Sequence, residues 1–246
     1  MHRFFVDIDN IKRDSIVITG EDVAHISRVL RLKTDDEIVI CDGQGMDYYV
    51  AIEDMNKYAV RTRVLKKEPS KAEPMINVIL YQGIPKGAKM DVIIQKCTEL
   101  GISKIVPVVN VRNVVKLSDE KDERKKVDRW QRIALEAAKQ SGRGIIPRIE
   151  MPIEYERALD EAAELDLAII PYELEKNNTL KEIIHGKDIR YMGVFIGPEG
   201  GYEDKEIAAA LKKGIKPVTL GPRILRTETA GSTVLSCIMY EFDEMQ

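Results

Sequence analysis

The chain has 246 residues, 44% of them hydrophobic and 32% charged, with 38 Lys and Arg against 41 Asp and Glu for a formal net charge of -3. That balance excludes collagen-like, low-complexity and wholly disordered chains, and it excludes a partner gripped by overall positive charge, so any nucleic-acid site has to be a local patch. The length allows one large domain or a small one followed by a medium one.

Arg3, Asp7 and Asp9 stand where an apolar leader would be, and no run of about 18 apolar residues occurs, so neither a signal peptide nor a membrane-spanning helix is expected. Short stretches rich in β-branched and aromatic residues follow, at Ser15 to Thr19, Glu37 to Cys41, Tyr48 to Ile52 and Tyr58 to Leu65, with a DGQG turn at Asp42 to Gly45. Their spacing predicts a small β-barrel or curled sheet carrying one short helix around Asp22 to Leu30. Arg28, Arg31 and Lys33 close that helix beside His25 as a small basic cluster. The run KKEPSKAEP from Lys66 to Pro74 has nothing to bury and reads as a linker, which divides the chain into residues 1–71 and 72–246.

After the linker, strand-like apolar runs alternate with helical stretches. The runs are Ile76 to Tyr81, Ile105 to Val109, Leu167 to Ile170, Met192 to Ile196 and Pro217 to Leu220; the helices include Met90 to Leu100, Arg124 to Gln140 and Glu228 to Tyr240. Strand, helix, strand in series predicts an α/β domain with a parallel sheet covered on both faces. Cys41, Cys97 and Cys237 lie far apart with no CxxC and no paired His, which argues against a metal site and against a disulfide framework and fits a reducing cytoplasm.

Two Gly/Pro-rich loops each follow a strand and precede a helix: VFIGPEGG at Val194 to Gly201 and LGPRILRTETA at Leu220 to Ala230. Ligands of open parallel sheets bind at the carboxyl ends of the strands, where glycines let a ligand approach bare backbone. A tight turn alone would also explain the first loop; the second tips the reading toward a pocket. GIPKGAK at Gly83 to Lys89 has the wrong spacing for a phosphate loop, and no dinucleotide-binding GxGxxG occurs. Residues 124 to 148 hold eight bases (Arg124, Lys125, Lys126, Arg129, Arg132, Lys139, Arg143, Arg148) against Asp128 and Glu136, a one-signed excess that suggests a phosphate-facing surface.

These loops, together with YQGIPKGAKMD at Tyr81 to Asp91, QKCTELGISKIVPV at Gln95 to Val108, QSGR after Trp130, RFFV at Arg3 to Val6 and HISRVLRLKTDD at His25 to Asp36, resemble the small-subunit (16S) ribosomal RNA uridine N3-methyltransferases of the SPOUT superfamily. The resemblance spans nearly the whole chain. It implies a PUA-like RNA-binding domain, then an α/β methyltransferase domain tied in a trefoil knot, acting as a homodimer on 16S ribosomal RNA within the 30S subunit, with S-adenosylmethionine as cofactor. Carried over by position, the cofactor would meet Pro171, Tyr172 and Glu173; Ile196, Gly197, Pro198, Glu199, Gly200 and Gly201; and Leu220, Gly221, Leu225, Arg226, Thr229 and Ala230. RNA would meet Arg3, His25, Arg28, Arg31, Arg129, Arg132 and Arg143.

N3 of uridine bears a proton, so the reaction implied needs a proton acceptor and a group to stabilise charge on O2 and O4. Arg226 suits the second task. Glu199 or Glu228 suits the first if burial raises its pKa, although Glu199 could simply shape its loop and Glu228 cap the last helix. A non-catalytic RNA-binding or ribosome-assembly protein of the same fold is the alternative function.

Overall fold

The computed structural model describes residues 1–112 and 120–245. The chain forms two compact units, one of Met1–Glu73 with Ala138–Ile146, the other of Pro74–Ala137 with Pro147–Gln246.

The first unit contains β1 (Arg3–Phe5), β2 (Ser15–Thr19), α1 (Glu21–Ala24), β3 (Glu37–Cys41), β4 (Met46–Met55) and β5 (Ala59–Pro69). These strands make a five-stranded sheet in the order β1-β3-β4-β5-β2, parallel between β1 and β3 and antiparallel elsewhere. Strand alternation builds its core: Ile16 and Ile18 of β2, Ile38 and Ile40 of β3 and Val50 and Ile52 of β4 are all buried together with Phe4 and Ile26. The expected helix is a single α-turn that widens into a π-helical turn over His25–Val29.

Two expectations change here. β5 runs on through Lys66, Lys67, Glu68 and Pro69, which pair with Tyr49, Tyr48, Asp47 and Met46, so only residues 70–74 remain of the expected linker. Charged side chains are compatible with a strand whose backbone is paired, and Pro69, which has no N–H to donate, ends it. Arg143 is not a surface base. It is 3% exposed, its Nη2 donates to Glu73 Oε2 at 2.6 Å, and Glu73 Oε1 accepts the backbone N–H groups of Gly144 and Ile145. Arg3 is likewise committed inward: its guanidinium forks onto both oxygens of the buried Asp47 at 2.8 and 2.9 Å and reaches Cys41 Sγ at 3.0 Å.

The second unit contains β6 (Asn77–Gly83), α2 (Lys89–Glu99), β7 (Lys104–Val109), α3 (Glu120–Ser141, its last turn in the first unit), β8 (Arg148–Ile149), β9 (Ile153–Glu154), α4 (Tyr155–Ala163), β10 (Leu167–Pro171), α5 (Leu180–Ile184), β11 (Tyr191–Ile196), α6 (Asp204–Lys212), β12 (Lys216–Val218) and α7 (Thr227–Glu241). Seven strands form one sheet in the order β12-β10-β11-β6-β7-β8, with β9 also on β7, and every pairing is parallel. The central strands β6 and β11 are buried over nearly their whole length, as a sheet covered on both faces requires. Tyr81 of β6 stacks on Phe195 of β11 with centroids 4.6 Å apart, and α7 packs on α2. Among the described residues no helix is long and apolar enough to cross a membrane.

Removing one member of a buried ion pair strands the other, at a cost of about 3–5 kcal/mol. Arg143→Ala is therefore expected to lower the unfolding free energy by about 3 kcal/mol or more in urea denaturation, with Arg132→Ala, an exposed control, within about 0.5 kcal/mol of the parent.

Candidate functional site

Because the sheet is parallel, the carboxyl ends of β6, β10, β11 and β12 share one edge, and the loops leaving them gather there. They enclose a cleft of about 960 Å³ whose wall includes Pro171, Tyr172 and Glu173 after β10, Ile196 to Gly201 after β11, and Leu220, Gly221, Leu225, Arg226 and Ala230 before and within α7. The structure thus brings together every residue expected at the cofactor site except Thr229. That side chain is exposed and no part of the wall, because the helix turns it half a revolution from Thr227. A smaller cleft of about 390 Å³, lined by residues such as Lys187, Lys213 and Lys216, contains none of the expected site residues.

Hydrogen bonds fix these loops from beneath. Gly201 adopts φ 65°, a conformation open to glycine, and its N–H closes a tight turn onto the Pro198 carbonyl at 2.9 Å. Arg112 Nη1 donates to the Gly200 carbonyl at 2.9 Å. Glu206, 3% exposed, accepts from Asn110 Nδ2 and Val111 N at the end of β7 and from Glu203 N at the loop's exit, which pins the loop to the sheet. The Thr227 hydroxyl donates to the Gly197 carbonyl at 2.7 Å and accepts from Gln82 Nε2 at 3.0 Å, joining the start of α7, the loop after β11 and the end of β6. Gln82 Oε1 is buried with no partner among the described residues, a cost of about 1–3 kcal/mol that the network sustains.

Arg226 is exposed in the wall, and its carbonyl accepts the first helical N–H groups of α7, those of Thr229 and Ala230. Glu199 and Glu228 share one ammonium: Lys89 Nζ lies 3.0 Å from Glu199 Oε1 and 3.6 Å from Glu228 Oε2. Glu199 also accepts the Lys86 N–H at 3.1 Å. Burial pushes the Glu199 carboxyl up, but Lys89 and the N–H groups of Glu199 and Lys86 outweigh it and hold the group below the usual carboxylate range. This corrects the expectation of a raised pKa there. Glu228 Oε2 is buried and, among the described residues, accepts no hydrogen bond, though the Lys89 ammonium faces it. Lys86, Lys89 and Gln82 were absent from the sequence-based site, and Thr227 lay within its Leu225 to Ala230 stretch without a role of its own. The signal for the lysines was the GIPKGAK loop itself, which fails as a phosphate loop but sits at a strand's carboxyl end.

The expected RNA residues divide. His25, Arg28 and Arg31 are exposed on and just beyond the π-helical turn of the first unit. In the basic run, six of eight bases pair with acids that lie outside it: Arg124 with Glu120, Lys125 with Asp122, Arg129 with Asp91, Lys139 with Asp22, Arg143 with Glu73 and Arg148 with Glu150. The apparent excess is thus largely neutralised. Arg132 is exposed and has no ion pair among the described residues.

The family described as "RNA methyltransferase domain" matches residues 71–239, and "RNA methyltransferase PUA domain" matches residues 18–65. Ribosomal RNA small subunit methyltransferase E of Bacillus subtilis (strain 168) is 34% identical over 98% of this chain and 97% of its own length. The chain belongs to this methyltransferase family. The namesake protein of Mesomycoplasma hyopneumoniae (strain 232) is 36% identical over 97% of this chain and 99% of its own. A crystal structure of the Neisseria gonorrhoeae member, bound to S-adenosyl methionine, superposes with a TM-score of 0.87 at 30% identity, covering 98% of this chain and 97% of that one. Family membership makes the first unit's sheet a PUA domain and the second unit an α/β methyltransferase domain.

The cleft fits such a ligand on its own terms. Ile224 stands 87% exposed in its wall with Leu220 and Leu225, an apolar surface suited to an aromatic ring, while Gly197, Gly200, Gly201 and Gly221 leave backbone bare and the carboxylates Glu173, Glu175, Glu199 and Glu228 suit a cation. Among the described residues no group of three His, Cys, Asp or Glu is placed to hold a metal. Thr227→Val keeps the volume of the buried side chain but removes both of its hydrogen bonds. It is expected to cost about 1–3 kcal/mol in stability and to weaken S-adenosylmethionine binding in calorimetry, whereas Thr227→Ser, which keeps the hydroxyl, stays close to the parent in affinity.

Proposed function

We propose that the protein transfers the methyl group of S-adenosylmethionine to N3 of one uridine in 16S ribosomal RNA. The observation that carries this reading is the gathering of three loops, the exposed Arg226 and the carboxylates Glu199 and Glu228 around a single cleft at the carboxyl edge of the sheet. The cofactor would be held by the Gly197–Gly201 loop, by Leu220 and Gly221, and by Leu225 to Ala230, and when bound it supplies an electrophilic methyl group on a sulfonium.

The chain's own residues perform the rest. Loop backbone orients the two reactants, which supplies much of the rate. The N3 proton goes to Glu228, a partly exposed carboxylate of the cleft wall whose Oε2 lies 3.6 Å from the Lys89 ammonium; the electron pair left on N3 spreads to O2 and O4 before it forms the new N–C bond. Arg226 meets that charge with a planar guanidinium at the positive end of the fifteen-residue α7. His25, Arg28 and Arg31 bind RNA phosphates from the PUA domain, and Arg132 and Arg129 do so from α3, the second after giving up Asp91.

The return of α7 from β12 at the sheet's edge to pack on β6 and β11 at its centre supports a knotted path for the methyltransferase domain, and we assign it the trefoil knot of SPOUT enzymes. The same reading makes the five-stranded sheet a barrel, residues 1–71 and 72–246 the two domains, and the enzyme a cytoplasmic homodimer that works on the 30S subunit. A non-catalytic binding protein would leave the Lys89, Glu199 and Glu228 cluster without a task.

Arg226→Lys keeps the charge but loses the fork. Single-turnover methylation of 30S subunits at saturating cofactor is expected to fall by a factor on the order of 10²–10³, with cofactor affinity retained. A near-normal rate removes Arg226 from the chemistry.

A further inference from the structure

The GIPKGAK loop brings two donors to the two carboxylates of the cleft. Lys89, the first residue of α2, places its ammonium between Glu199 and Glu228, at 3.0 and 3.6 Å, and Lys86 adds a backbone N–H to Glu199. The two carboxylates are therefore unequal. Glu199 is bound by Lys89 at 3.0 Å and by the Lys86 N–H, whereas Glu228 meets the same ammonium through Oε2 at the longer distance of 3.6 Å and, among the described residues, accepts no backbone N–H. The other charged groups in the wall, Glu173, Glu175, Lys176, Arg223 and Arg226, make no ion pair or hydrogen bond with either carboxylate. One cation thus faces two anions.

We propose that Lys89 is a positioning residue for the methyl-transfer reaction, one that anchors Glu199 as a carboxylate and leaves Glu228 as the group that takes the proton from the substrate nitrogen. The proposal rests on the function proposed above. In the proton step the N3–H bond breaks, its electron pair stays on the ring, and the proton moves to a Glu228 oxygen. Lys89 then faces Glu199 as a neutral pair, so no unpaired carboxylate opposes the charge growing on the substrate. After turnover Glu228 returns its proton to solvent. Without Lys89, two carboxylates would share one wall of a cleft with no cation between them, and Glu199 would lose the charge that holds its carboxyl low.

The test uses the full-length protein labelled with 13C at glutamate carboxyls, followed by NMR across pH. In Lys89→Met the Glu199 carboxyl is expected to titrate at higher pH than in the parent, and Lys89→Arg is expected to restore most of the shift. Single-turnover methylation should fall at least tenfold in Lys89→Met and recover in Lys89→Arg, while calorimetric affinity for S-adenosylhomocysteine stays within about threefold of the parent. Lys89→Gln replaces Lys89→Met if the latter does not fold. An unmoved Glu199 titration in a folded variant overturns the assignment, as does a rate that falls only in step with S-adenosylhomocysteine affinity. A parent protein that transfers no methyl group overturns the reaction itself, and with it the proton-transfer role, even where the Glu199 titration moves as expected.

Discussion

Every strand of the second unit's sheet runs in the same direction, and the rest of the site follows from that constraint. Parallel order puts the carboxyl ends of β6, β10, β11 and β12 on one edge, so four loops far apart in sequence become neighbours without any of them being long. The Thr227 hydroxyl converts this neighbourhood into a fixed geometry. By donating to the Gly197 carbonyl and accepting from Gln82, it locks the first turn of α7 to the loop after β11, and Arg226 and Glu228 sit on either side of it. The network is buried: Gln82 is 0% and Thr227 6% exposed, so its bonds do not compete with water.

Electrostatics divide the molecule in a second way. Along α3 and the turn after it, acids contributed from elsewhere in the chain consume most of the positive charge, so a count along the sequence overstates what phosphates can meet. In the cleft the same kind of pairing has a different result, since Lys89 is shared by two carboxylates and holds Glu228, at 3.6 Å, less closely than Glu199, at 3.0 Å. Pairing removes charge from one surface and directs a proton at the other.

The fold was legible where burial repeats. β2, β3 and the long strands of the second unit follow the alternating or continuous apolar patterns expected of half-buried and fully buried strands, and α7 starts one residue before its expected position. The Lys66 to Pro69 stretch was misread because its strand character comes from backbone pairing with Tyr48 and Tyr49, a partner that local composition does not reveal. Helix α4, with Tyr155, Ala158, Leu159 and Ala162 buried at helical spacing, carries a pattern that the alternation of longer runs obscured. At the site, glycine and proline marked the loops, and resemblance supplied the ligand. Gln82, Thr227 and Lys89 escaped because an amide, a hydroxyl or a lone lysine acquires a role only from what the fold sets beside it. Arg3 and Arg143 escaped in the opposite sense: nothing in a linear reading distinguishes an arginine that faces solvent from one folded onto Asp47 or Glu73.

The central claim is that this cleft methylates N3 of a uridine in small-subunit ribosomal RNA. It is tested most directly by incubating the purified protein with unmodified 30S subunits and methyl-labelled S-adenosylmethionine, then separating the nucleosides of the 16S RNA by mass spectrometry. The account predicts label in 3-methyluridine alone, mapping to a single position. Absence of label, or label in any other nucleoside, would contradict it.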